Sequence, residues 1–352
     1  MPATSCQYLA SVIKQLQTQQ TAFDDFRLPG SHKDINQASN LRQKISQNQK
    51  EILRELWPLE ILTREKLREQ YDSQKEAYLA VGLIKQLPSG KIGFIEQGRE
   101  YIYPTLKQVN NYLKSDPEIM ATLLKKETQG FTQLLITPFA MNIDTIARTV
   151  ERKVKAQGGK GNNYWSDEWK DQAHLRYFIQ LNSDGTLSNG LTKAQVKDKP
   201  GFLLNGYFIS LREDNPKIPY RDDPDTDYNG RIRLKSGKTA QEYLDILQNP
   251  NNPHHAMYQG EDAMLPEEWF ALFAEDLYKQ YISQNKQIEQ DGSSKLLDFN
   301  RWCWFVSTKF QGSGRLPDAF WRPDRRGVRL DGDDLGRADG GLGVRPVVRK
   351  KA

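Results

Sequence analysis

Cysteine is nearly missing from this chain of 352 residues: only Cys6 and Cys303 occur, far apart in sequence. Such a pair is neither a disulfide framework nor a metal cluster; Cys6 reads as a thiol on a helix and Cys303, between Trp302 and Trp304, as a buried core thiol. No apolar run approaches the roughly 20 residues that span a bilayer. The amino terminus, MPATSCQYLASVIKQL, lacks the basic start and continuous apolar centre of a signal peptide. A cytoplasmic protein without a membrane partner is expected. There is no concentrated charge either: the net value is +5, Lys and Arg alternate with Asp and Glu, and only Arg349, Lys350 and Lys351 form a run. Nucleic acid is therefore an unlikely partner, since its binders usually show a basic stripe. No Ser, His and Asp set has local support, and GGKG at 158–161 lacks the spacing and terminal Ser or Thr of a phosphate-binding loop. No cofactor is implied.

With 37% hydrophobic and 27% charged residues the chain is globular, and its length suits about two domains. Residues 1–128 read as mainly helical. Leu9, Val12, Ile13 and Leu16 fall at helical spacing, as do Leu41, Ile45, Ile52, Leu53 and Leu56 before Pro58. The polar stretch AFDDFRLPGSHKDINQ between them looks like a linker. A third helix runs from an N-cap at Thr63 through Leu67, Tyr71, Tyr78 and Leu79 to Gly82. LIKQLPSGKIGFIEQGREYIYPT then reads as a hairpin or small meander around Pro88, Ser89 and Gly90. Winged helices combine such elements, but Glu65, Glu69, Asp72 and Glu76 would bring acid to phosphate. An adaptor or assembly role, with a protein partner, suits this domain better.

A boundary is expected near Gln129 and Gly130, opening a second domain, 129–352. A strand ends at Pro138, and a helix capped by Asn142 carries Ile143, Ile146, Ala147 and Val150 on one face. LRYFIQL and FLLNGYFISL read as buried strands, so the class is α+β. DDPDTDYNGRIRLKS resembles a calcium loop: Asp225, Asp227 and Asn229 fall at ligand positions, Gly230 at the sharp turn and Ile232 at the apolar site. Ser236 stands where a bidentate Glu is expected, and Pro216, Pro219 and Pro224 forbid a preceding helix. A solvated acidic turn is the simpler reading. Neighbouring His254 and His255 point apart, so no metal is expected there. Pro266 starts a helix whose apolar face is Leu265, Trp269, Leu272, Phe273, Leu277 and Tyr281. Trp302, Trp304 and Phe310 read as core.

The composition changes abruptly after Gln311. Residues 312–349 contain no Asn, Gln, Lys, Ile, Tyr, Glu, His, Met, Thr or Cys, but eight glycines, which is too much glycine for helix. The segment reads as a loop-rich surface pinned by Leu316, Phe320, Trp321, Val328, Leu330, Leu342, Val344 and Val347. Its pattern, LPDAFW followed by charged and small residues and then LGVRPVVR, resembles the carboxy-terminal variable region of proteins diversified by retroelements. Those proteins have the C-type-lectin fold shared with formylglycine-generating enzymes. The resemblance covers roughly 300–352, is looser over 130–300 and is absent before that.

The resemblance implies a C-type-lectin-like domain with a small mixed or antiparallel sheet, long loops and a variable region at about 311–352. It also implies rewriting at adenines of AAY codons, which yields the residues found here; a GC-rich stretch of gene would yield them too. The expected function is a binding module rather than an enzyme. Its ligand, a protein or peptide, would meet Trp321, Arg322, Asp324, Arg325, Gly327, Arg329, Asp331, Asp333, Arg337 and Asp339. The alternatives are an enzyme related to the formylglycine-generating, sulfatase-modifying type and a winged-helix regulatory protein. The first needs paired reactive cysteines near the carboxy terminus, where only Cys303 stands. Calcium-dependent sugar binding lacks its Glu-Pro-Asn type of ligand motif here.

Overall fold

The computed structural model describes residues 64–115, 117–160, 164–165, 169, 175–214, 217–291, 293–299 and 301–350. The two helices expected before Pro58, the linker between them, Cys6 and the Thr63 cap lie outside these residues. The chain divides into Met1–Glu60 and Ile61–Ala352; the second unit is described here, and it is α+β. The boundary expected near 129 falls inside this unit.

α1 (Arg64–Val81) buries Leu67, Tyr71, Gln74, Ala77, Tyr78 and Val81, residues three or four apart on one stripe. It stops at Gly82, whose φ of +95° lets Leu83 turn its amide back to the Tyr78 carbonyl. Three strands follow as an antiparallel meander: β1 (Lys85–Gln86), β2 (Ile92–Glu96) and β3 (Arg99–Ile102). Gln97 and Gly98, both at positive φ, make the tight turn whose twist matches the hairpin. An aromatic cluster of Tyr71, Tyr78, Phe94, Tyr101, Tyr103 and Tyr207 fastens helix and meander to the rest of the unit.

α2 (Leu106–Leu113), opened by a Thr105–Gln108 capping box, and α3 (Pro117–Glu127) lead to β4 (Gln133–Thr137). α3 is joined to the body by buried charge: Lys126 reaches Glu261, which also takes both arms of Arg231 at 2.7 Å. α4 (Ile143–Ala156) has Asn142 as its N-cap and buries Ile143, Ile146, Ala147 and Val150, as its spacing predicts. After β5 (Tyr164–Trp165) come β6 (Leu175–Tyr177), α5 (Lys193–Asp198) and β7 (Phe208–Arg212). Two expected strands are shorter than their apolar runs. β6 ends where Phe178 takes a φ of +54°, and β7 starts only after Asn205 and Gly206 make a positive-φ turn. A Cβ on Gly206 would lie 2.3 Å from the Tyr101 ring, so only glycine admits the meander at this point.

α6 (Ala240–Gln248), α7 (His255–Tyr258) and β8 (Asp262–Ala263) precede α8 (Pro266–Leu277), which continues as a π-helical turn over Tyr278–Ile282. α8 begins at Pro266 as expected, but it is not one-faced: Glu267, Glu268 and Glu275 are buried along with its apolar residues. Their partners make this possible. Glu267 accepts from Tyr177 and Lys193, and Glu268 from Arg349, Ser210 and the Leu265 amide.

β9 (Trp302–Trp304), β10 (Thr308–Phe310), β11 (Leu316–Arg322), β12 (Gly327–Asp333), β13 (Leu342–Gly343) and β14 (Pro346–Arg349) complete the unit. β4, β7, β14 and β8 form one antiparallel sheet in that order; β13, β9, β11, β12 and β5 form a mixed one. β10 pairs with β6 alone. Under the mixed sheet, Tyr243, Leu244 and Leu247 of α6 pack with Trp304, Leu316, Leu342 and Val344.

Candidate ligand-binding surface

β11 and β12 are opposed residue for residue from Leu316↔Asp333 to Arg322↔Gly327. Residues directly opposite share a face, which sorts the hairpin into two sides. Ala319 and Trp321 face Leu330 and Val328, and all four are buried. The Trp321 indole donates to the Ser294 carbonyl at 3.2 Å and packs on Phe273 of α8. On the other side Phe320 and Arg322 stand with Arg329 and Asp331, half-buried. β9 brings Trp302 to this side: its ring centroid lies 3.7 Å from that of Phe320, and the Arg329 guanidinium lies 4.8 Å from it. A row of Trp302, Phe320 and Arg329 therefore crosses three neighbouring strands.

This row floors a concavity of about 720 Å³. Arg322, Pro323 and Asp324 close one side, and Asp291, Ser293, Ser294, Lys295 and Phe299, from the loop after the π-helical turn, close the other. A second hollow of about 620 Å³ shares Lys295 and Phe299 with it. Aromatic faces, cations and carboxylates thus converge in a space large enough for a side chain or short peptide, with its edges set by a hydrogen-bonded hairpin.

Of the residues expected at the surface, Arg322, Asp324 and Arg329 line this concavity. Arg322 holds Asp324 with two hydrogen bonds, at 3.1 and 2.7 Å, and so keeps its carboxyl below the usual carboxylate range. Arg325 is exposed at the turn, 3.6 Å from Asp324. Asp331 accepts from Arg329 at 2.7 Å. Asp333, Arg337 and Asp339 make a separate group at the far end of the hairpin, with Arg337 reaching both carboxylates. Two expected members are not on the surface at all. Trp321 is fully buried and Gly327 is buried opposite Arg322. The reason is the alternation of the strand: Trp321 shares a face with Val328, so it points inward while Phe320, expected as a buried pin, turns out. The other pins are all buried.

No protein-family model, curated protein or solved structure matches the chain.

Lys295, Phe299, Asp291 and Trp302 were outside the expected site. A signal existed for Trp302, since Trp302 and Trp304 share a strand face, but one of them, Trp304, is buried, and periodicity alone does not say where a sheet's cover ends. Cys303 is fully buried in β9 opposite Ala319, where burial pushes its thiol well above the ordinary value. An attacking thiolate needs the opposite shift. In the acidic turn, Asp225 pairs with Lys235, Asp227 accepts from the Gly230 amide, and Ser236 donates to the Gly340 carbonyl at 2.6 Å. Among the described residues no three His, Cys, Asp or Glu side chains are grouped to hold a metal ion.

Proposed function

We propose that the chain is a binding module of the retroelement-diversified kind, a C-type-lectin-like scaffold that displays a changeable surface to a protein or peptide ligand in the cytoplasm. One observation carries this reading. The outward charges of β11, β12 and the loop beyond pair chiefly with one another over short sequence separations, as in Arg322–Asp324, Arg329–Asp331 and Arg337–Asp339, whereas Ala319, Trp321, Val328 and Leu330 are buried on the hairpin's opposite face. Arg329–Asp331 is half-buried, while Arg322–Asp324 and Arg337–Asp339 are more open, and exposed pairs contribute little to stability, roughly 0 to 1 kcal/mol each. On this reading the surface can change at little cost to the fold. Its aromatic row, flanked by arginines, has the composition that dominates protein interfaces.

The test is a comparison of variants. Replacing Arg322, Asp324, Arg329, Asp331 and Asp333 together by serine is expected to leave the melting temperature nearly unchanged. Trp321→Ala or Leu330→Ala should each cost on the order of 2 to 5 kcal/mol. An unfolded surface variant beside stable core variants would reject the display reading. Independently, the gene should have a near-repeat of the segment encoding 312–349 that differs only at adenines.

A further inference from the structure

A larger concavity, about 1040 Å³, lies between α1, the meander and the turn after α5, and shares no residue with the one described above. Five cations line it: Lys75 from α1, Lys91 and Arg99 from the meander, and Lys197 and Lys199 from the end of α5. Glu100 and Asp198 are the carboxylates that line it. No ion pair joins any of the five cations to a carboxylate among the described residues. Lys75, Lys197 and Lys199 are half-buried as well. Five cations against two carboxylates leave an excess of positive charge, and partial burial strengthens its self-repulsion. A ligand that supplies carboxylates or phosphates relieves it.

The backbone narrows the choice. β3 is an edge strand, with β2 on one side only. The Tyr103 amide donates to the Ile92 carbonyl, and an antiparallel ladder alternates, so Glu100 and Ile102 direct their N–H and C=O groups away from β2. Both residues line the concavity. An unpaired edge is a template for another strand. Bases of a single-stranded nucleic acid would need open aromatic faces to stack on. The tyrosines here do not offer them: Tyr71, Tyr101 and Tyr103 are buried, and Tyr101 lies against Phe94 at 4.9 Å with Arg99 and Lys197 over its ring.

We infer that this groove docks an extended acidic peptide segment of a partner protein, which pairs as an added strand with the free edge of β3 and sets its carboxylates against Lys75, Lys91, Arg99, Lys197 and Lys199. The site would let the module be carried or assembled by one partner while its variable surface engages another. It does not depend on the reading of that surface.

The probe is a fluorescein-labelled peptide of alternating Glu and Val, titrated with the full chain and followed by anisotropy. Saturable binding is expected, weakened about tenfold or more by Lys91→Glu with Lys199→Glu, as for removal of complementary charge. Phe320→Ala should leave it unchanged. Methylating alternate backbone nitrogens of the peptide should abolish it, since strand pairing needs those N–H groups. The melting temperature of the charge variant, measured alongside, is expected to match that of the parent. Absence of binding, indifference to N-methylation, or tighter binding of an oligothymidylate of equal charge would each overturn the proposal.

Discussion

Asp318 is fully buried on β11, and neither of its carboxylate oxygens meets a hydrogen-bonding group among the described residues. Burial pushes its pKa well above the ordinary range, and Asp333 and Asp331 push it further. The folded chain therefore holds a proton there that the unfolded chain releases at about pH 4. Above that pH the folded state binds more protons than the unfolded one, so this residue makes stability fall as pH rises toward the folded value. Asp318→Asn keeps the shape and removes the titration. It is expected to raise the melting temperature at pH 7 by a few degrees, with the gap narrowing as the pH approaches 4. A variant less stable than the parent at pH 7 would mean that Asp318 is ionised and paired. At this scale the apolar pins were legible from spacing, with Phe320 the exception. Asp318 was not, because LPDAFW places it among residues that alternate, and only the pairing with Trp304 and Asp331 shows how deep it lies.

At the scale of elements, α1 owes its place to two glutamines one turn apart. β4 is an edge strand of its sheet, and Gln70 and Gln74 run along that edge. The Gln70 amide group donates to the Thr132 carbonyl and accepts from the Leu134 amide; Gln74 does the same with the Leu134 carbonyl and the Ile136 amide. Side chains thus stand in for a missing strand, and the edge is closed to other chains. Leaving a buried backbone group unsatisfied costs about 1 to 3 kcal/mol. Gln70→Ala with Gln74→Ala should lose about 2 to 5 kcal/mol in urea unfolding. A double variant as stable as the parent would show that water serves the edge equally well. Elements set by local chemistry were readable in advance: the Asn142-capped helix, the meander and the Pro266 start. The glutamine bridges were not, since two polar residues on a helix read as solvated surface until the strand beside them is known.

For the molecule as a whole, these bridges and the Tyr71–Tyr207 aromatic cluster place residues 64–127 within the same unit as the two larger sheets. The sequence suggested a break at 129 because Gln129 and Gly130 are polar and flexible in type. Long-range contacts, which composition does not report, join the segments on either side of that point. A fragment covering 61–352 is expected to unfold in one cooperative transition by circular dichroism, and one covering 130–352 is expected to aggregate or lack such a transition, since it uncovers β4. Cooperative melting of the shorter fragment would support a boundary near 129.

β14 lies between β7 and β8, with Val348 opposite Leu211 and Pro346 opposite Ala263. An interior strand of the sheet is thus among the last described residues to be synthesised. While the ribosome is still making this chain, β7 and β8 have no neighbour to join them, and Glu268 waits for Arg349. Closing such distant pairs is slow. The nascent protein must therefore keep half a sheet open until residue 349 has left the exit tunnel, and its unpaired strand edges stay exposed longer than those of a sheet built from consecutive strands.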